Sequence, residues 1–367
     1  MEASGRNSSL CIALVLAAVL GTLAASARGS ADAQRGPAGR IAVEGDGEVV
    51  VVDARGGHKR QVAVFVEGAP AWSPDGREVA YPAVGAIRAT TIRSGRERTI
   101  MRTGAAFSVG PGWSPDGRRL AFAMHGAFAA TARLVVVERD GRKRHTVDSR
   151  AASYQVPQWS PDGRTIAYLR DSDDAPALWL ARGDGLGRHV LRRGVYDYPD
   201  SVSWSPEGGR IAFVGLVGSR GTEAALVVAS ANGMRSRAVA GIAGDPGQAS
   251  VGNVRWSLTG SLIAFIRWSQ DAETDDALSV IDLRNDRERV LARAGSIDDV
   301  AWSPDGRWLA YLAENPARPS GVPFSVWLIR ADGSAKHRLA RLYERSDALA
   351  WGRAPASNSS SSTGRGR

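Results

Sequence analysis

The sequence predicts an all-β chain built from one repeated unit, and three observations carry that prediction. A Trp-Ser-Pro-Asp-Gly-Arg motif begins at Trp72, Trp113, Trp159 and Trp302. Variant copies stand at Trp204 (WSPEGGR) and Trp256 (WSLTGS), and Ala350-Trp351-Gly352 is a copy that stops short. The six full copies run into an apolar stretch, as in Trp308-Leu-Ala-Tyr-Leu312, and the motif tryptophans follow one another at steps of 41–52 residues. Self-similarity at a period near 40–45 residues is the signature of four-stranded blades arranged around a ring, a β-propeller.

Each element of the unit has a local reason. The tryptophan closes a short inner strand and is placed to wedge between neighbours. Pro at the next corner fixes φ for a type I turn, Asp accepts backbone N–H groups within it, and Gly supplies a positive φ. The reversal lets two short apolar strands pair as a hairpin. A variable segment follows, then an apolar run ending in an Asp-Gly turn, as in Val326-Trp-Leu-Ile-Arg-Ala-Asp-Gly333. A fourth strand opens with basic residues, as in Lys336-His-Arg338. Trp72, Trp113, Trp159, Trp204, Trp256, Trp302 and Trp351 are therefore read as packing residues of the repeat.

The two ends complement each other. Residues 41–66 supply three strands with no tryptophan strand before them, and 347–352 supply a lone tryptophan strand. Joined, they make a composite blade that seals a seven-bladed ring; packed apart, they leave six blades. Residues 40–353 form the propeller, preceded by a linker over 34–39 and followed by a Ser/Gly-rich tail, 354–367, expected to be disordered. Residues 1–33 read as an export signal. Arg6 precedes an apolar run, Leu10–Leu20, and small residues allow cleavage after Ala27 or Ala33. The run is too short for a span of roughly 20 residues, so no membrane crossing is expected after cleavage. Cys11 is the single cysteine and lies in that signal, which excludes disulfide and thiol chemistry from the mature chain.

The WSPDGR-x-[IL]-A-[FY] signature resembles the PD40 (WD40-like) repeats of TolB-like propellers over about residues 40–352. That resemblance implies a secreted or periplasmic, cell-envelope protein that binds other proteins. TolB also carries an α/β domain before its propeller; only about a dozen residues separate the signal from the first blade here, so that domain is expected to be missing. The same repeats occur in prolyl oligopeptidase-like enzymes, whose Gly-x-Ser-x-Gly elbow has no counterpart in this sequence. Oligogalacturonate lyase is a propeller with a His-rich metal centre. Here His58, His145, His189 and His337 occupy equivalent outer positions in different blades and cannot meet, and His125 stands alone.

Net charge is +9 with a pI near 10.2, which favours acidic partners. Export and the lack of a basic groove interleaved with aromatics argue against a specific nucleic-acid role. Strand direction sorts the connections onto two faces: a basic face of tight turns and a face of longer, acidic loops. Long loops on a rigid scaffold are where binding sits. The binding candidates are Tyr196, Asp197, Tyr198, Trp268, Asp271, Glu273, Asp275 and Asp276. Four residues before the motif tryptophan lie Asp200, Asp298 and Asp347, with Asp299 beside them; converging carboxylates there suit Ca²⁺, which takes six to eight oxygens. No other cofactor is expected. The leading reading is an exported, monomeric scaffold for a protein or an anionic envelope polymer, without catalysis. The alternative is a metal-dependent hydrolase or lyase with its site at the channel mouth.

Overall fold

The computed structural model describes residues 36–57, 59–108, 110–126, 131–152, 156–170, 176–195, 202–217, 223–241, 249–269, 275–314, 324–342 and 348–354. The chain divides into two compact units, Met1–Pro37 and Ala38–Arg367. Among the described residues every strand lies in the second, and all the strand pairing is antiparallel.

The strands fall into the repeated groups that the sequence predicts. In the Trp302 group, Ile297–Trp302, Trp308–Ala313, Ser325–Arg330 and His337–Arg341 pair in chain order from the inside outwards. The Trp72, Trp204 and Trp256 groups repeat this order as separate four-stranded sheets. The Trp113 and Trp159 groups share one nine-stranded sheet, joined through the single pair Ala151↔Arg170. At the seam, Ala348–Gly352 pairs with Arg40–Gly45 in the register Ile41↔Trp351 and Val43↔Leu349, and Glu48–Asp53 and Lys59–Val64 complete the sheet. The connection expected over 34–39 is already part of this unit at its end: the Gly39 carbonyl accepts Ala54 N–H at 3.1 Å. Gly39 has φ of 109°, and a Cβ there would lie 2.4 Å from the Gly352 carbonyl oxygen. Only glycine passes that point without moving the seam strand.

The core sits between groups rather than within them. Each apolar cluster draws on two neighbours: Ile211 and Phe213 pack with Leu178 and Leu180, and Leu309 and Tyr311 pack with Ile266 and Leu278. The seam strands pack on the Trp302 group through Ile41 and Leu349, and on the Trp72 group through Ala42 and Val51. A lone four-stranded sheet would expose both faces, so neighbours must stack on each side. Full burial of Phe122, Phe213 and Phe265 contributes about 1.5–3 kcal/mol each.

The motif turns are built as their residues require. Ser303 Oγ donates to Asp305 Oδ1 at 2.5 Å and accepts Trp308 N–H at 2.9 Å, while Asp305 accepts Arg307 N–H at 3.1 Å. The same three bonds recur around Ser73 and Asp75, Ser114 and Asp116, and Ser160 and Asp162. Gly306 closes the turn at φ of 67°.

Candidate functional site

The motif tryptophans hold the inner strands together. Trp72, Trp113, Trp159, Trp204 and Trp302 each donate Nε1–H to the carbonyl of the residue that precedes the tryptophan of the neighbouring group. Those carbonyls belong to Ala350, Ala71, Gly112, Gln158 and Arg255, at 2.9–3.2 Å. Two joints differ. Trp351 donates to Ala38 O, across the seam. Trp256, in the WSLTG copy, donates to Gly260 O of its own turn, and Ser203 Oγ accepts the Trp256 backbone N–H instead.

The residues before these tryptophans line a central cavity of about 380 Å³. Most are small: Ala71, Gly112, Ala301 and Ala350. Gln158 and Arg255 are larger, and Arg255, the one charged residue among them, finds Asp299 of the next group. Arg255 Nη2 lies 3.3 Å from Asp299 Oδ1, which also accepts Val300 N–H at 2.7 Å. Asp299 Oδ2 accepts Leu349 N–H of the seam strand at 2.9 Å. Asp299 is 4% exposed. One buried carboxylate thus links three consecutive inner strands, and its charge is met by a guanidinium and two amides. A sequence signal for Arg255 exists: at the position before the tryptophan, the other groups have Ala, Gly, Gln or Ser.

This arrangement bears on the cation expectation. Asp299 spends its oxygens on Arg255, Val300 and Leu349. Asp298 Oδ1 accepts the Ser296 hydroxyl at 2.7 Å. Asp200 and Asp347 lie outside the described residues. Among the described residues no three His, Cys, Asp or Glu side chains are placed to share a metal ion.

The binding candidates also separate. Tyr196, Asp197, Tyr198, Asp271 and Glu273 lie outside the described residues, and Asp275 is exposed. Trp268 and Asp276 differ from their expected role as surface ligands, because the fold uses them. Trp268 Nε1–H donates to Ile297 O at 2.8 Å. Asp276 is 5% exposed, with Oδ1 accepting Ser269 N–H at 2.9 Å and Oδ2 accepting Ile297 N–H at 2.8 Å. Both brace the start of the next inner strand. Burial pushes the Asp276 carboxyl up, against the two amides that pull it down.

Several turn-face cations are likewise committed. Arg119 stacks 4.6 Å over Trp159 and donates to Gly163 O at 2.8 Å, and Arg210 stacks 4.9 Å over Trp256. His145, His189 and His337 open outer strands of different groups. His58 lies outside the described residues.

Inner, tryptophan-tied strands around one cavity, with three further strands behind each, define a β-propeller. The TolB beta propeller domain (PD40) model matches residues 42–254 and 91–354, and the chain belongs to that family. TolB from Acinetobacter baumannii is 13% identical over 86% of this chain and 82% of its own, with a TM-score of 0.54. A putative TolB from Agrobacterium tumefaciens is 19% identical, covering 73% of this chain and 96% of its own, with a TM-score of 0.52. An oligogalacturonate lyase in complex with manganese is 12% identical, covering 83% of this chain and 86% of its own, with a TM-score of 0.61. No curated protein sequence matches the chain. Among the described residues no helix is long and apolar enough to cross a membrane.

Proposed function

We propose that this chain is an exported, seven-bladed binding scaffold of the cell envelope, holding a protein or an anionic envelope polymer on its face of long loops. One observation carries the reading: the structure divides its connections unequally. First-to-second-strand connections are tight motif turns of a few residues. Second-to-third-strand connections are two-residue turns after Gly45 and Ala83, but in four other groups they run from Arg170 to Ala177, Val217 to Glu223, Ser269 to Asp276 and Ala313 to Ser325. All four leave from equivalent strand ends, on one face of the repeat. The tryptophan ties and Asp299 make the ring beneath them stiff, which lowers the ordering cost of presenting loops to a partner. The family's TolB members support a protein-binding role and an envelope location.

The test is affinity capture from the native envelope fraction with the full mature chain as bait. A second bait carries Asp271→Asn, Glu273→Gln and Asp275→Asn, leaving Asp276 to its structural bonds. The reading expects a stoichiometric partner on the first bait and its loss from the second. Equal retention on both baits would move the binding surface off the acidic loops, and capture of nothing by either would contradict the scaffold.

A further inference from the structure

Two grooves on the turn face occupy the same place in the repeat. One lies between the Trp72 and Trp113 groups, the other between the Trp256 and Trp302 groups. Their backbones correspond. Arg139 N–H donates to Arg118 O at 2.7 Å in the first, and Ala331 N–H donates to Arg307 O at 2.9 Å in the second. Gly141 N–H bonds Glu138 O, and Gly333 N–H bonds Arg330 O, both at 2.8 Å.

Their charges do not correspond. The first groove is balanced, with Arg98, Arg118 and Arg139 facing Asp116, Glu138 and Asp140. Two more carboxylates brace its arginines from below. Glu78, 8% exposed, lies 2.9 Å from Arg98 and 3.1 Å from Arg139, and Asp75 lies 3.5 Å from Arg139.

In the second groove three of these acids, Asp75, Glu78 and Glu138, are replaced, while Asp116 and Asp140 keep their counterparts in Asp305 and Asp332, the latter 3.8 Å from Arg330. Counting from the motif tryptophan, Thr259 stands where Asp75 does and Leu262 where Glu78 does. Arg330 takes the place of Glu138 in the equivalent turn. Arg289 holds the register position of Arg98, paired with Val280 as Arg98 is with Ala89. The result is a cavity of about 370 Å³ lined by Arg284, Arg287, Arg289, Arg307 and Arg330, with only Asp282 and Asp332 against them. Asp282 is taken by Arg284 at 2.6 Å, and this guanidinium holds its carboxyl down to about 2. Arg289 Nη1 donates to the Asp332 carbonyl at 3.0 Å, which orients its side chain along the groove.

We infer that the groove between the Trp256 and Trp302 groups is a binding site for a phosphate-bearing polyanion. Guanidinium forks match phosphate oxygens in bidentate pairs, and a cluster with net charge +3 suits a ligand of several negative charges. The WSLTG departure then has a use. It removes the turn carboxylate that would occupy the groove's edge.

The test is calorimetric titration of the full chain with inorganic tripolyphosphate, at low and at physiological ionic strength. Arg287→Ala with Arg289→Ala is expected to weaken binding about tenfold or more, since each arginine supplies charge-assisted hydrogen bonds. Thr259→Asp restores the acid found in four other turns, so it is compatible with the fold, and is expected to weaken binding severalfold. Arg118→Ala with Arg142→Ala removes the same charge beside the balanced groove and is expected to leave affinity unchanged. Equal weakening by the two double variants would reduce the effect to net charge and overturn the site. Absence of binding by the parent chain would overturn it as well.

Discussion

The joints at Trp302 and Trp256 begin from the same motif and end differently. At Trp302 the indole reaches the neighbouring inner strand at Arg255 O, and Asp305 organises the turn behind it. At Trp256 the indole turns into its own turn, Leu258-Thr259 replace Pro-Asp, and Ser203 Oγ supplies the link to the neighbouring group. Both joints keep their tryptophan buried. The difference separates what the fold requires, an apolar wedge with a hydrogen-bonded link between strands, from what it leaves open, the chemistry of the turn. Where the turn keeps its aspartate, as at Asp75, the carboxylate meets Arg139 of the neighbouring group at 3.5 Å; Thr259 brings no charge to that place.

The sharpest way to break this comparison is at the wedge. Trp302→Ala is expected to cost about 3–5 kcal/mol through lost packing, whereas Trp302→Phe, which keeps most of the packing and removes the bond to Arg255 O, should cost about 1 kcal/mol. Chemical denaturation of both variants checks this; equal losses would make the indole N–H irrelevant to the joint. Asp299→Asn comes next, at about 2–3 kcal/mol. It removes the charge beside Arg255 and turns an amide donor toward Val300 or Leu349 N–H.

Smaller effects appear in pH dependence, with opposite signs at two aspartates. The Ser160 hydroxyl and the Arg164 amide hold the Asp162 carboxyl below its ordinary value. Its folded pKa is below its unfolded one, so its contribution is complete above the ordinary carboxylate range and is lost as pH falls through the folded value. Burial pushes Asp276 the other way. Its contribution is complete below the unfolded value and declines as pH rises toward and through the folded one. Melting temperature against pH should show a shallower acid-side loss in Asp162→Asn and a shallower loss with rising pH in Asp276→Asn. The smallest expected change is a gain. Leu258 is 51% exposed, and Leu258→Pro restores the residue found at this corner in five other turns. It should add about 0.4–1 kcal/mol by restricting the unfolded chain.

How far the sequence reached depends on how local the chemistry is. The motif turn was legible because Ser, Pro, Asp and Gly act on one another within six residues. The seam was legible because each chain end lacked what the other held. The Arg255–Asp299 pair was not, since it joins residues 44 apart in different groups and needs the ring to bring them together. Asp276 reads as part of an acidic loop from Asp271 onward, yet it is the first residue of a strand, and its partner amide, Ile297, lies beyond the outer strand. The arginine groove becomes visible only when two units are aligned and the positions of Asp75, Glu78 and Glu138 are compared with Thr259, Leu262 and Arg330.

The claim on which the rest depends is that the strand Ala348–Gly352 closes the ring. It pairs with Arg40–Gly45, receives Asp299 from the Trp302 group through Leu349 N–H, and accepts the Trp72 indole at Ala350 O. Equilibrium urea unfolding of the full chain, beside a chain ending at residue 347, tests this directly. Closure predicts that the shortened chain loses the single cooperative transition or unfolds at far lower urea. The same midpoint and slope for both chains would contradict it.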